Sequence, residues 1–312
     1  MIPVPEGAKW PTVVPKSDLE MPNGEAGTAK EALPAADPCE PDGGAHPGVS
    51  ASRGAPSPLA LGRVHHGDCL ELIDLLEPGS ISLVFADLPY GVTANDWDTP
   101  VDLTRLWPAL RRVCRPTAAM VFTAVQPFAT DLVASNRAEF RFDMVWKKNI
   151  ATGFLNANRR PLRAHEGIFL FYREEPPYVP QKTTGHPLVK VTPSKRGENK
   201  NSKNYGTEQG RLLKTKNYES TERHPTTVLE IDCVEQHDPS RRHPTQKPEP
   251  LIEWFIKTYT APGDLVFDPT AGSGSTLCAA KALGRRCIGF DLDPESVRKA
   301  NDALASRLEF CA

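Results

Sequence analysis

Apolar runs of strand length alternate with segments of helical spacing from about residue 61 onward. The runs "SISLVFAD", "AAMVFTAV", "FDMVWKK" and "GIFLFYR" are short and bounded by polar or turn-forming residues, as buried strands are. Between them, "LTRLWPALRRVCRP" and "DLVASNR" carry apolar residues at helical spacing. With "GRVHHGDCLELIDLL" as a first strand, turn and helix, this alternation predicts an α/β protein.

The alternation returns near the end of the chain. There "KPEPLIEWFIKTYT" predicts a helix, followed by the strand "DLVFD", a glycine loop, the helix "TLCAAKALG", the strand "RRCIGFD" and a last helix. Residues 175–240, which lie between the two α/β stretches, are polar and rich in Pro, Lys, Asn, Thr and Gly, with one short strand expected at "TTVLEID". We therefore expect a loop-rich insertion over 175–240, between the two parts 61–174 and 241–312 of one domain.

The first 60 residues have a different composition. They hold 11 of the 31 prolines and 7 of the 22 glycines, with almost no periodic apolar pattern. Such a segment has little apolar surface to bury, so residues 1–60 are predicted to be a disordered arm.

Composition narrows the class of protein. Of the 312 residues, 39% are hydrophobic, which is enough for a core, yet no apolar run reaches the length of a membrane helix and the N-terminus does not resemble a signal peptide. We expect a cytoplasmic protein that does not span a membrane. The seven cysteines form no CxxC pair and have no zinc-like spacing, which predicts reduced thiols and no metal site.

The net charge of -2 conceals two unlike regions. Residues 141–223 hold 17 Lys or Arg against 8 Asp or Glu, while the remainder holds 20 against 31. A basic segment of this kind predicts a polyanionic partner such as nucleic acid, the alternative being a solvated charged loop.

The stretch "DLVFDPTAGSGSTLCAAKALGRRCIGFDLD", residues 264–293, has the pattern of a nucleoside site. A strand runs into Asp268, and Gly272 and Gly274 allow a tight turn and close approach of a ligand. Asp291 ends the next strand, where an acid can bind a ribose diol. The loop lacks the third glycine of the dinucleotide fingerprint and a P-loop lysine, so the pattern favours a nucleoside over a pyrophosphate cofactor.

Asp87-Leu-Pro-Tyr90 directly follows an apolar strand, and with it the motifs take a recognisable order. The Asp-Leu-Pro-Tyr motif, the basic insertion, "HPTQKP" at 243–248 and the glycine loop together resemble the β-group of amino-directed, S-adenosylmethionine-dependent DNA methyltransferases. The stretch "WKKNIATGFLNANRRPLRAHEGIFLFYRE" is similar to phage-type and orphan adenine-specific members. The resemblance covers about residues 62–305. It implies a Rossmann-like fold with a mixed, mostly parallel seven-stranded sheet.

The same resemblance implies a division of labour and a chemistry. Residues 61–174 would be the catalytic half, 175–240 the target-recognition insertion and 241–312 the cofactor-binding half. A methyl group would pass in line from S-adenosyl-L-methionine to the exocyclic amino group of a base flipped out of double-stranded DNA. Adenine N6 is favoured, because Asp at the first motif position is commoner in adenine enzymes, and cytosine N4 is the alternative. Relatives of this group often pair, so a homodimer is also expected.

Each residue of the Asp-Leu-Pro-Tyr motif then has an implied role. The Asp87 carboxylate and the Leu88 carbonyl would accept hydrogen bonds from the amino group, which directs the nitrogen lone pair at the methyl group. Pro89 keeps Leu88 extended, and Tyr90 would stack on the base. Leu88 departs from the family pattern, which usually has proline there.

The resemblance also assigns cofactor and DNA contacts. Asp268 with its glycine loop would face the methionine part of the cofactor and Asp291 its ribose, with Thr245 and Lys247 near its carboxylate. Asp68 is either an acid near the adenine ring or the N-cap of a helix. The predicted cofactor-binding residues are Asp68, Thr245, Lys247, Asp268, Gly272, Gly274, Ser275 and Asp291. The predicted contacts to the DNA backbone are Arg159, Arg160 and Arg163.

Two functions from other classes compete with this hypothesis. A nicotinamide-dependent oxidoreductase would account for the glycine loop and Asp291, but not for the Asp-Leu-Pro-Tyr motif or the basic insertion. A DNA-binding protein without catalytic activity would account for the basic insertion, but not for the retained Asp87, Pro89 and Tyr90.

Overall fold

One large sheet organises the part of the chain that the computed structural model describes, which is residues 59–91, 100–191, 218–235, 238, 241 and 246–306. The predicted arm lies almost wholly outside these ranges, as do residues 192–217 of the predicted insertion. The strands are β1 Val64–His66, β2 Ile81–Ala86, β3 Cys114–Ala124, β4 Phe140–Thr152, β5 Arg163–Phe171, β6 Val189–Val191, β7 Tyr218–Ser220, β8 Val228–Glu230, β9 Leu265–Asp268 and β10 Arg286–Asp291.

Helices connect most of these strands, as the apolar spacing predicts. The helices are α1 Cys69–Leu72, α2 Leu103–Val113, α3 Phe128–Ser135, α4 Glu249–Tyr259, α5 Ser275–Ala282 and α6 Pro294–Ser306, with short 3-10 helices at Ile73–Leu75 and Phe154–Asn156. No helix within the described ranges is both long enough and apolar enough to cross a membrane.

The sheet has the order β1-β10-β9-β2-β3-β5-β4-β8. Neighbours from β1 to β3 are parallel, β5 is antiparallel to both β3 and β4, and β8 is parallel to β4. The mixed, mostly parallel α/β sheet is confirmed, but the predicted number of seven strands was one too few for the described chain. The additional strand is β8 from the insertion, because Leu229 is buried in the core and the indole of Trp146 donates to the carbonyl of Ile231 at 2.7 Å.

Helices cover both faces of the sheet, which explains why every residue of β2 is buried. Leu83 and Phe85 of β2 pack in one apolar cluster with residues of α4, α5 and α6, while Val84 and Ala86 pack in the other with residues of α2 and α3. The side chains of a strand alternate between faces, so β2 supplies both clusters. Asp87 comes directly after this strand and belongs to neither apolar cluster.

The functional residues follow from the sheet topology. Parallel strands end at one edge, and Asp87, Asp268 and Asp291 lie at the carboxyl ends of β2, β9 and β10. Antiparallel β5 begins at this same edge, since Gly167 pairs with Ala124, the last residue of β3. We call this the catalytic edge; it also carries the turn between β4 and β5.

Candidate active site

The carboxylate of Asp87 is held from both sides. One oxygen, Oδ1, accepts hydrogen bonds from the Tyr90 hydroxyl and from Thr123 Oγ1, the latter at 2.5 Å. The other, Oδ2, binds the ammonium of Lys247. A carboxylate has about four lone-pair sites, so these three donors leave room for one more donor, such as an N–H of a base.

A buried chain of alternating charges extends from Asp87. Lys247 lies between Asp87 and Glu166, with its Nζ 3.4 Å from Glu166 Oε2, and Glu166 in turn binds Lys148. The side chains of Lys247, Glu166 and Lys148 are 10%, 13% and 9% exposed. Such groups are stable in a dry site because each charge has an opposite neighbour.

Opposite charges govern protonation in this chain. Burial alone would raise the pKa of Glu166, but the Lys247 and Lys148 ammoniums outweigh burial and hold that pKa below its usual value. Burial would likewise lower the pKa of Lys247, but Asp87 and Glu166 hold it above its usual value. Both side chains therefore remain charged at neutral pH.

Lys247 lies between two carboxylates of the chain, those of Asp87 and Glu166. Its predicted place near the cofactor's carboxylate stays a prediction. Two neighbouring carboxylates at a partly dry edge need a cation between them, which is the physical reason for this position.

Tyr90 contacts the Asp87 carboxylate as well as an aromatic neighbour. Its hydroxyl donates to Asp87 and lies 3.0 Å from the Thr123 carbonyl, and its ring lies 5.3 Å from that of Phe128 at an angle of 30°. Burial and then the charge of Asp87 raise the pKa of Tyr90 well above its usual value, so Tyr90 remains a hydrogen-bond donor. Its stacking on a base stays a prediction.

Leu88, which stands where the family pattern has proline, is 2% exposed. Its side chain packs in the apolar cluster beneath α2 and α3. The departure from the pattern therefore adds apolar burial to the motif, and Pro89 still follows it to restrict its backbone.

Asp268 is a buried acid at the end of β9. Its Oδ1 accepts the Thr270 amide at 3.0 Å, and the Thr276 side chain also donates to it. Burial, together with the charges of Asp87 and Asp291, raises the pKa of Asp268 to about 7 against the lowering effect of these hydrogen bonds. A cationic group placed beside Asp268 would stabilise the ionised form.

The glycine loop leaves space for a ligand. Gly272 has a φ of 47°, with no atom within 4 Å of the position that a Cβ would take. Its amide donates to Asp291 Oδ2 at 2.7 Å, and Thr270 Oγ1 donates to the Asp87 carbonyl at 3.2 Å. The glycine loop, Asp291 and the Asp-Leu-Pro-Tyr motif thus form one continuous site. An open backbone, an acid at the end of β10 that could accept hydrogen bonds from a ribose, and a buried acid suited to a cation fit S-adenosylmethionine.

The two glycines of the loop should respond differently to substitution. At Gly274, with a φ of 74°, a Cβ would lie 2.8 Å from the Cβ of Ala300 in α6, whereas at Gly272 it would meet open space. We expect Gly274→Ala to lower the free energy of unfolding by about 2 kcal/mol or more, from left-handed strain plus this contact. Gly272→Ala, the matched control, lacks this contact and should lower the free energy of unfolding less than Gly274→Ala does. Its main effect should be a lower affinity for the cofactor. Thermal melting and titration calorimetry measure the two effects, and equal melting temperatures would contradict this account.

The remaining cofactor residues are only partly described by the structure. Asp68 caps α1, since its Oδ1 accepts the Leu70 amide at 2.8 Å, which confirms the N-cap interpretation; contact with an adenine ring stays a prediction. The buried Ser275 lies 2.8 Å from Ser273 through their hydroxyls at the start of α5. Thr245 lies outside the described residues.

The three predicted DNA-binding arginines are exposed. Arg159, Arg160 and Arg163 lie in or beside the turn between β4 and β5, at the catalytic edge. Within the described ranges, no three His, Cys, Asp or Glu side chains are grouped as metal ligands would be.

The sequence analysis missed three members of the network: Glu166, Lys148 and Thr123. Glu166 and Lys148 carry charge within or beside apolar strand segments, "HEGIFLF" and "MVWKK", and this was an available signal. Which partners they have could not be read from the sequence, because the network joins β3, β4, β5 and the segment before α4.

Comparison with known proteins agrees with this geometry. The family model described as DNA methylase, N6_N4_Mtase, matches residues 81–302. The type II methyltransferase M1.MboII of Moraxella bovis is 28% identical over 264 residues, which cover 79% of this chain and 97% of that protein. The DNA adenine methyltransferase YhdJ of Escherichia coli is 26% identical over 249 residues, 75% of this chain and 79% of that protein.

Solved structures share the fold. The cytosine-N4-specific PvuII DNA methyltransferase aligns with a TM-score of 0.53 at 18% identity, covering 79% of this chain and 92% of that one. The complex of M1.HpyAVI with S-adenosylmethionine aligns with a TM-score of 0.50 at 20% identity, covering 78% and 98%.

The fold and the family match together define the class as S-adenosylmethionine-dependent methyltransferases. Within this class, the chain belongs to the N6-adenine/N4-cytosine DNA methylase family, and S-adenosyl-L-methionine is its methyl donor.

Proposed function

We propose that this protein methylates N6 of adenine at a specific sequence in double-stranded DNA. The observation that carries the proposal is the Asp87 carboxylate, held by three donors with one acceptor site left, and linked to the glycine loop through Thr270. An Asp at this position and the similarity to a DNA adenine methyltransferase both favour adenine.

In the proposed mechanism, residues of the chain prepare the amino group of the base for methyl transfer. Asp87 accepts one N–H of the exocyclic amino group and the Leu88 carbonyl accepts the other, which draws the nitrogen lone pair out of the ring. Bound S-adenosylmethionine would supply an electrophilic methyl group. The amino nitrogen bonds to this carbon as the carbon–sulfur bond breaks, and it then releases one proton to solvent. Alignment of the base against the glycine loop supplies the orientation needed for direct transfer.

Lys247 and Glu166 act through Asp87 as positioning residues. Lys247 binds Oδ2 of Asp87, and Glu166 together with Lys148 holds Lys247. The carboxylate is thereby fixed in charge and orientation before the base arrives, so that no reorganisation is needed during the reaction.

The test is incubation of purified protein and S-adenosylmethionine with unmethylated genomic DNA, followed by nucleoside analysis by mass spectrometry. We expect N6-methyladenine, and none with Asp87→Ala. N4-methylcytosine would overturn the choice of base, and the absence of any methylated nucleoside would overturn the proposal. Sequencing of the methylated DNA would then give the target sequence.

Cofactor affinity should rise with pH through about 7. If Asp268 faces the methionine part of the cofactor, the positive charge of that part favours the ionised form of Asp268. Binding then releases a proton at any pH at which Asp268 is protonated in the free protein. The dissociation constant should increase by at most about tenfold per pH unit below 7. Calorimetry from about pH 5.5 to about pH 8, a range that spans this pKa, measures the dissociation constant. Asp268→Asn is the control and should bind more weakly, with a flatter profile; an unchanged slope would contradict the assignment.

The stability of the free protein should show the opposite dependence on pH. An acid with a raised pKa binds its proton more tightly in the folded state, so the free energy of unfolding falls as pH rises from 3.8 to about 7. Asp268→Asn should remove this decrease, which urea unfolding without cofactor would reveal.

A further inference from the structure

The turn between β4 and β5 presents two large apolar side chains to solvent. Phe154 is 69% exposed and Leu155 is 101% exposed, the highest value among the large apolar residues of the described chain. We call these two residues the tip. Exposure of this extent is unfavourable in water unless a partner covers the side chains in the working state.

The backbone of the tip is ordered by its own hydrogen bonds. Gly153 takes a left-handed conformation with a φ of 95°, and a 3-10 helix follows at Phe154–Asn156. The Ala157 amide donates to the Phe154 carbonyl at 3.0 Å, and the Asn156 carbonyl accepts the amides of Arg159 and Arg160. The two side chains are therefore presented on a formed turn.

The surroundings of the tip are basic. Residues 149–165 contain three arginines and no Asp or Glu. A small concavity of about 160 Å³ at the base of the tip is lined by Thr152, Gly153, Arg160, Pro161 and Arg163. Guanidinium groups in this arrangement suit phosphate oxygens, so the partner that covers the tip should be polyanionic with an apolar interior.

The tip lies at the catalytic edge. Strand β5 begins at the turn and contains Glu166, the residue that contacts the Lys247 ammonium bound to Asp87. Strand β4 leads into the turn from Lys148, which binds the same Glu166. A partner bound at the tip therefore lies on the side of the molecule from which a base would reach Asp87.

We propose that Phe154 and Leu155 form a wedge that enters the base stack of duplex DNA when the target base is flipped toward Asp87. Apolar side chains that insert between base steps replace the lost stacking contacts, and the arginines hold the flanking phosphates. This inference rests on the proposed function, because it requires that the base leave the duplex.

The test compares two duplexes that contain the target sequence found with the wild-type protein. In one the target base is paired normally, and in the other it lies opposite an abasic site, so that extrusion requires less work. We expect the double variant Phe154→Ala/Leu155→Ala to lose at least about tenfold in kcat/KM on the paired duplex and to recover most of this loss on the abasic duplex. Its affinity for S-adenosylmethionine should be unchanged.

Controls separate the wedge from other roles. Leu75→Ala changes another exposed apolar residue, 43% exposed, in the 3-10 helix that precedes β2, and should leave both rates unchanged. Arg160→Ala should lower the affinity for both duplexes equally and reduce the salt dependence of binding.

Three results would overturn the wedge: no loss on the paired duplex, equal loss on both duplexes, or loss of self-association by ultracentrifugation with methylation unchanged, which would assign the tip to a second copy of the chain. The modified base is read from the same products. Methylation of cytosine N4 would thus overturn the adenine proposal without affecting this comparison.

Discussion

Asp87→Ala is expected to lower methyl transfer by about 10³-fold or more while leaving S-adenosylmethionine affinity within about twofold. The carboxylate accepts hydrogen bonds from the hydroxyls of Tyr90 and Thr123 and binds Lys247. In the proposed function, its remaining acceptor site binds the amino group of the base. The variant loses the acceptor for the amino group and the partner of Lys247 together. Single-turnover transfer of a radiolabelled methyl group and calorimetric titration with the cofactor measure the two effects.

A second variant of Asp87 shows which property of the carboxylate matters, and a variant of another acid serves as the control. Asp87→Asn keeps one carbonyl acceptor and loses the charge, so its rate should lie between those of the wild type and Asp87→Ala. Asp74→Ala removes an exposed carboxylate, 73% exposed and 3.4 Å from Arg112, and should change neither quantity. A large loss of cofactor affinity in Asp87→Ala would contradict the assignment of this carboxylate to the base.

Lys247→Met should have the second largest effect. It leaves Asp87 and Glu166 without the cation between them, and removal of one member of a buried ion pair costs about 3–5 kcal/mol. We expect transfer to fall by about 100-fold and the melting temperature by about 5–10 °C. Transfer at half the wild-type rate or better would contradict the positioning role.

The pH dependence of stability distinguishes this role from loss of packing. In the wild type, Lys247 helps to hold the pKa of Glu166 below 4.5, so Glu166 contributes stability above pH 4.5 that is lost as pH falls through its lowered pKa. The difference in the free energy of unfolding between wild type and Lys247→Met should therefore shrink in acid. A difference that stays constant with pH would indicate lost packing alone.

Matched variants complete the comparison. Lys257→Met removes a lysine that pairs with Glu253 on the surface of α4, at 42% exposure, and should cost at most about 0.5 kcal/mol with normal transfer. Glu166→Gln keeps the shape but leaves Lys247 with Asp87 alone. It should reduce transfer less than Lys247→Met does.

Local sequence patterns determined much of the fold. The continuous apolar run before Asp87 predicted β2, since a strand covered by helices on both faces has no polar side. Asp293 followed by Pro294 is a typical helix start, and α6 begins there, with Asp293 Oδ2 accepting the Ser296 amide at 2.9 Å. These features depend on neighbours within a few residues, which one sequence contains.

The motifs also located the ends of the strands that build the site. Asp87, Asp268 and Asp291 each follow an apolar strand, and parallel strands bring such positions to one edge. The family resemblance supplied the order of the halves, which stays a prediction, while the family itself is shown by the match over residues 81–302.

Only the tertiary structure decided the partners of the charged groups. Lys247 is 160 residues from Asp87 in sequence, and Glu166 of β5 contacts Lys247 in the segment before α4. The eighth strand was likewise decided by tertiary contacts, because Leu229 packs in the core and the Ile231 carbonyl accepts a hydrogen bond from Trp146 of β4. The sequence by itself determined which residues carry charge, which residues form turns and which segments form buried strands, because these are local properties. Whether a buried charge meets an opposite one depends on distances between distant segments, and these exist only after the chain has folded.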